Sequence, residues 1–234
     1  MRGAGQETAG SLKNTSKYVV FVWNRRVVVR LASTQLVEDR RWIGVSKMND
    51  KIKLGSNMFV YPMAVTLVGT QLESRPNFTT VSWLTRVNVH PPMIGVSLNP
   101  DHNSTKGILE NREFSINFPG ADMAEVVDMC GILKGPRSGK SQFFDVFDGE
   151  LTHAPMIREA TLSLELSLHG VLNLPSNTLV IGKIVNSYSE SKYLTNGKPD
   201  VQKMNPVALT MPDNRYWALG NVLGKAWHIG RPNR

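Results

Sequence analysis

The stretch from Arg75 to Gly107, RPNFTTVSWLTRVNVHPPMIGVSLNPDHNSTKG, constrains the fold more than any other part of the chain. It holds two apolar segments rich in β-branched and aromatic residues, with Pro91-Pro92 between them. The prolines forbid a continuous helix and cut the stretch into two strands. A polar loop follows, and Ser104–Asn111 reads as a short helix with Ser104 or Asn103 as its N-cap.

The flanking sequence continues the pattern. Phe59–Gln71 reads as a strand with Pro62 near its start, and Glu73–Asn77 as a turn. Phe78–Arg86 alternates as a half-buried strand, and Met93–Leu98 is a short apolar one. Phe114–Phe118 is a strand ending at Pro119-Gly120. Asp122–Met129 reads as a helix stopped by Gly131. Leu162–Leu168 and Leu179–Ser187 are strands across a Leu174–Asn177 turn, and Asn196-Gly197 marks another turn. Strands this closely spaced, with only two short helices, predict a mainly β barrel rather than a doubly wound sheet.

The chain carries 27 Lys and Arg against 19 Asp and Glu, a net charge of +8. Residues 1–47 hold nine basic residues and three acids (Glu7, Glu38, Asp39), leaving 18 against 16 for the remainder. The body is nearly neutral, which argues against a nucleic-acid-binding domain. No apolar run approaches the roughly 18 residues that a membrane-spanning helix needs. The single cysteine, Cys130, leaves no internal disulfide and no cysteine-built zinc site, and suits a reducing, cytoplasmic setting. For residues 1–47 the alternatives are a transit peptide, a strand hairpin through Val19–Trp23 and Val27–Leu31, and an extension outside the fold. MNDKIKLGSN reads as a natural N-terminus, so the extension is preferred, with one functional domain over 48–234.

Asp101, His102 and Ser104 lie too close in one loop to converge as a catalytic triad, and no G-x-S-x-G elbow is present. His90, His102, His153, His169 and His228 fall at no metal-ligand spacing, so no metal is expected. The Asn103-Ser-Thr-Lys106 loop is the better candidate. A helix N-terminus offers unpaired N–H groups, and two hydroxyls and an ammonium add donors for a phosphate. An ordinary capped helix with a solvated lysine is the simpler alternative. With neither a Walker A motif nor G-x-G-x-x-G, any phosphate belongs to a mononucleotide held by a barrel. Trp83 and Trp217 read most simply as core aromatics, Lys140 as a surface lysine, and Cys130 as a packing residue.

YPMAVTLVGTQLESRPNFTTVSWLTRVNVHPPMIGVSLNPDHNSTKGILENREFSINFP closely resembles the flavin reductase-like family, in its flavoredoxin branch. DMCGILKGPRSGKSQFF, APMIREATLSLEL, IGKIVNSYSE and MPDNRYWALGNVLGKAW resemble it in the same order, so the likeness runs from about Leu54 to Trp227. It implies an FMN-binding split β-barrel with a few short helices, normally a homodimer with flavin near the subunit interface. Members reduce flavin with NAD(P)H, or keep FMN bound and pass electrons between carriers such as ferredoxin. The resemblance implies that Asn77, Thr79, Thr80, Val81, Ser82 and Trp83 line the isoalloxazine. Ser104, Thr105 and Lys106 take the phosphate, with Asn99 in the same site. Lys140 approaches the flavin or its phosphate, and a cation at the ring would raise its potential. Tyr216 or Trp217 closes one side. The chemistry resides on the flavin, so no catalytic side chain is expected. A non-catalytic flavin-binding or flavin-sensing module is the alternative.

Overall fold

The computed structural model describes residues 51–133 and 139–231, together with the backbone of 18–23 and 26–31. The chain divides into two compact units, residues 1–55 and 56–234. In the first, β1 (Tyr18–Trp23) and β2 (Arg26–Leu31) form an antiparallel hairpin with Tyr18 opposite Leu31. Met48, read above as a natural N-terminus, and most of the glycine-rich loop before Lys140 lie outside the described residues.

The second unit opens with β3 (Met63–Ala64), β4 (Thr66–Leu72), β5 (Arg75–Val81), β6 (Leu84–Asn88) and β7 (Met93–Leu98). Then come α1 (Asn103–Asn111), β8 (Glu113–Phe118) and α2 (Ala124–Ile132). Two short strands, β9 (Val146–Phe147) and β10 (Met156–Ile157), precede the long hairpin of β11 (Leu162–Asn173) and β12 (Thr178–Tyr188). After β13 (Leu194–Thr195), β14 (Lys198–Pro199) and α3 (Val201–Met204), the fold closes with β15 (Val207–Thr210) and β16 (Arg215–Ala218). The unit is mainly β with a few short helices, as the strand spacing predicts.

Seven strands form one antiparallel sheet in the order β5-β4-β8-β11-β12-β7-β6. Its outermost strands, β5 and β6, are consecutive in sequence and separated only by Ser82 and Trp83. The three residue steps from Val81 to Leu84 span at most about 11 Å, so the sheet must curl until its edges come close. β5 and β6 do not pair, and the barrel stays split along that seam. This corrects the expectation of one strand over Phe78–Arg86. FTTVSWLTR holds no Gly or Pro to mark an end, yet the chain breaks at Ser82-Trp83 to pass from one edge of the sheet to the other.

Side chains from both ends of the sheet fill its interior. Val68, Val81, Val96, Phe114, Leu166 and Val180 share one buried cluster, capped by Ile108 of α1. A second cluster, on the other face of β4 and β5, joins Leu67 and Phe78 to Val127 and Cys130 of α2. β4 therefore sits between two cores, and Thr66 to Thr70 are all buried. Gly107 permits the close approach of α1 to β4, since a Cβ there would lie 2.7 Å from the Gln71 carbonyl oxygen.

Several local expectations shift for physical reasons. Phe59–Gln71 is not one strand: Met63–Ala64 pairs with β15 in a separate three-stranded sheet, and β4 starts at Thr66. The β4–β5 turn is confined to Glu73 and Ser74, both at positive φ, so Arg75 and Pro76 already belong to β5. Gly131 lies inside α2, which runs to Ile132. β11 and β12 extend further than their apolar cores indicated, reaching Asn173 and Tyr188.

Candidate functional site

The N-terminus of α1 opens a polar cavity of about 340 Å³ lined by Asn77, Thr79, Asn99, Ser104 and Lys140, with Asp101 and His102 at its exposed side. The N-cap of α1 is His102, in extended conformation, and not Ser104 or Asn103. No side chain caps the helix and no acid lies in its first turn, so the orphan N–H groups stay free of side-chain partners, with the Asp101 carboxylate the one acid beside them in the cavity lining. Ser104 turns instead toward β5, where its Oγ accepts a 2.8 Å hydrogen bond from Asn77 Nδ2. Both residues are buried, Asn77 at 8% and Ser104 at 2% exposure. The Asn99 side chain accepts from Asp101 N, and its carbonyl accepts from Thr105 Oγ1 at 2.7 Å. The loop entering the helix is thus held without using the helix's own first N–H groups.

Lys140 is buried at 8% exposure, against the expectation of a surface lysine. Its Nζ donates to the Cys130 carbonyl oxygen at 2.8 Å, which brings the ammonium to the C-terminal end of α2. Burial pushes the Lys140 pKa below its usual value, an effect the neighbouring Cys130 partly offsets. Burial likewise raises the Cys130 thiol to about 11, although Lys140 pulls it back. Cys130 is fully buried in the second core cluster, the packing role expected of it.

A larger and mostly apolar cavity of about 830 Å³ borders the seam, with Ser82, Trp83, Phe59, Met63, Ser97 and Leu179 in its walls. Trp83 is 46% exposed and lies 6.4 Å from the Phe59 ring, so it is a cavity wall rather than core. The two cavities are neighbours in the chain. Only Leu98 separates Ser97, on the apolar wall, from Asn99, on the polar one. Along β5, Asn77 and Ser82 are separated by roughly 17 Å of extended chain.

Not every implied residue faces these cavities. Val81 packs in the barrel core. Thr80 Oγ1 donates to the Val127 carbonyl at 2.5 Å and ties β5 to α2. Thr105 is buried against the Asn99 carbonyl, and Lys106, which is exposed, lines neither cavity. Tyr216 donates to Asp128 of α2 at 2.9 Å, and burial together with that carboxylate raises its pKa to about 12. Trp217 donates to Thr210 Oγ1 across the β15–β16 pair. Ser97 lines the apolar cavity without having been singled out, and Asp101, His102 and Gly131, weighed above only as a triad, a metal ligand or a helix stop, line the polar one. For Ser97 the signal was present: it stands two residues before Asn99 at the end of MIGVSL.

The donor set fits a phosphate monoester, since one buried ammonium and an uncapped helix N-terminus meet in the polar cavity. The uncharged walls of the larger cavity fit a planar ring, so the pair suits FMN. Among the described residues, no group of His, Cys, Asp and Glu could hold a metal, and no helix is long and apolar enough to cross a membrane.

Comparison with known proteins agrees with the fold. Residues 58–203 match the flavin reductase like domain. A flavoredoxin from Methanosarcina acetivorans is 46% identical, with a TM-score of 0.76 over 78% of this chain and 98% of that one. The flavoredoxin of Desulfovibrio vulgaris (Miyazaki F) is 30% identical, with a TM-score of 0.73 over 77% of this chain and 100% of that one. An FMN-binding protein from Thermus thermophilus is 25% identical, with a TM-score of 0.61 over 72% and 92%. With a split sheet and this match across most of the second unit, the chain belongs to the flavin reductase-like domain family.

Proposed function

We propose that the chain binds FMN across the two cavities and serves as a cytoplasmic oxidoreductase of flavoredoxin type, carrying electrons through the bound cofactor. The single observation that carries this reading is that Ser97 lines an uncharged pocket and Asn99, two residues on, lines an anion-suited one. FMN would supply the redox chemistry, accepting electrons from a donor and passing them on. The protein's part is to hold and shield it. The N-terminus of α1, Ser104 and Lys140 take the phosphate, with Asn77 fixing the Ser104 hydroxyl. Thr79 and Asn99 border the linking chain, and Ser82 and Trp83 flank the ring. Donors are gathered for one phosphate group, which favours FMN over FAD. Lys140 shares the polar cavity with Ser104, so it acts at the phosphate end and tunes affinity more than ring potential. Thr80, through α2, and Thr105, through the Asn99 carbonyl, support the walls from behind.

A homodimer belongs to this reading, because Met58, Val60 and Trp83 on the apolar rim are 46–78% exposed. The electron donor is NAD(P)H or a reduced carrier such as ferredoxin. The purified protein is expected to be yellow, or to become so with added FMN. Bleaching by NADH or NADPH assigns the reductase activity of the family. Bleaching only by reduced ferredoxin assigns the carrier role, and flavin that stays oxidised with both would leave a binding or sensing module. A protein that takes up no FMN at micromolar concentration refutes the proposal.

A further inference from the structure

The C-terminal segment beyond β16 stands apart from the body it follows. Residues 219–231 are exposed throughout. Leu223 is 95% exposed, Trp227 89%, Ile229 71% and Val222 70%. The segment nonetheless has local order. His228 N and Ile229 N both donate to the Lys225 carbonyl, Arg231 Nε donates to the Trp227 carbonyl at 2.8 Å, and Ile229 folds onto Gly224. A turn that presents four large apolar side chains to water is the form of an arm made to be covered.

We infer that this arm, Leu219 to Ile229, docks into the apolar cavity of a second copy of the chain, with Trp227 and Leu223 entering beside the seam. Three observations select that occupant. First, the cavity wall carries no charged side chain among its described residues, so it accepts indole and aliphatic groups while Lys225 and Arg231 stay at the rim. Second, the arm's root is close to the wall. Ala218, where β16 ends, pairs with Val207, and on the other side of β15 Ala208 pairs with Ala64, a wall residue. Root and cavity are thus about two strand spacings apart, roughly 10 Å. One twofold axis can then place each arm in the other copy's cavity, the reciprocal contact that a closed dimer requires. Third, the area suffices. A stable dimer buries about 800 Å² per partner, and one indole contributes roughly 150–250 Å². Leu223, Ile229 and Val222 with the exposed rim of Met58, Val60 and Trp83 supply the balance.

At about 830 Å³ the cavity is at the large end for one small ligand, which leaves room for an arm side chain beside a flavin ring. This inference rests on the self-association proposed above, and on FMN binding only for that last point.

The test uses the full-length chain. Thr85→Cys, in the cavity wall, and Val222→Cys, in the arm, are made as separate variants, mixed, and treated with a short bis-maleimide. The native chain is the control, because its only cysteine is buried. A covalent dimer from the mixture, absent from either variant alone and from the control, is the expected result. In sedimentation, Leu223→Ser with Trp227→Ser is expected to weaken self-association at least about 100-fold, with unchanged circular dichroism. A dimer that does not cross-link in the mixture, or that survives the double substitution at native strength, overturns the arm while leaving dimerisation intact. A native chain monomeric at tens of micromolar overturns both. Flavin uptake, measured separately by absorbance, reports on the cofactor reading alone.

Discussion

Replacing Lys140 by methionine separates the two halves of the proposed cofactor site. The ammonium is 8% exposed and lies in the polar cavity with Ser104 and Asn99. If it donates to a phosphate, its loss removes one charge-assisted hydrogen bond, worth about 1.5–3 kcal/mol. That corresponds to roughly a 10- to 150-fold rise in the Kd for FMN. Riboflavin lacks the phosphate and contacts only the apolar cavity and the linking chain, so its Kd should change by no more than about threefold, within the usual tolerance of a remote substitution. The stability of the flavin-free protein should change little, because losing the bond to the Cys130 carbonyl is offset by removing a buried charge. Burial lowers the Lys140 pKa. Native FMN affinity should therefore fall as pH rises through that lowered value, below the ordinary lysine range, and the methionine variant should lack this dependence. Quenching of flavin fluorescence on titration with protein reads both ligands. Equal losses for FMN and riboflavin, or an unchanged FMN affinity, would refute the placement of Lys140 at the phosphate.

Three further outcomes test the framework around the site. Gly107→Ala puts a methyl group 2.7 Å from the Gln71 carbonyl oxygen and 2.9 Å from Thr70 Cγ2. It should destabilise by about 1–3 kcal/mol despite alanine's better helix propensity, and a raised melting temperature would show that α1 can retreat from β4. Glu165 is fully buried; burial raises its pKa, but hydrogen bonds from Tyr188 Oη at 2.7 Å and Leu151 N at 2.9 Å outweigh that and hold it below 4.5. Its stabilisation is present above pH 4.5 and lost as pH falls through the lowered value. Glu165→Gln should therefore unfold about 1–3 kcal/mol more easily at pH 7, with the difference narrowing as pH falls below 4.5; a gap that stays constant as the pH is lowered would contradict this. Cys130, with its thiol raised to about 11, should resist maleimide at pH 7.5 until denaturant is added. Its stabilisation is present below pH 9 and lost as pH rises through about 11, so Cys130→Ala should flatten the alkaline limb of the stability curve; stoichiometric labelling of the native protein would count against its burial.

The sequence made the strands legible where one face or both are buried over an unbroken run. MIGVSL is β7 to the residue, because its apolar run ends where the polar loop begins. It was less informative wherever tertiary partners decide. Nothing in FTTVSWLTR marks the break at Ser82-Trp83, which exists because β5 and β6 belong to opposite edges of the sheet. Glu73 and Ser74 adopt positive φ without glycine or asparagine, so the turn looked wider than it is. The helix start at α1 was readable, but its cap was not, since Ser104 is drawn away by Asn77 from a strand far back in the chain. The burial of Lys140 depends on a carbonyl at the end of α2, and no local pattern around GKSQFF records that partner.

The seam between β5 and β6 also bears on how the chain folds. The β4–β5 and β6–β7 hairpins close through short turns and are tethered to each other by Ser82-Trp83, so residues 66–98 can assemble with little loop entropy. The β7–β12 ladder, by contrast, joins Leu98 to Thr178 and must wait for the chain between them. The β11–β12 hairpin, which lies between β8 and β7, should therefore dock late and complete the curl of the sheet. Substitutions in residues 66–98 should slow folding, whereas those in β11 and β12 should mainly hasten unfolding. The residues that border the proposed flavin ring would then lie in the earliest structure to form, with their cavity shaped last.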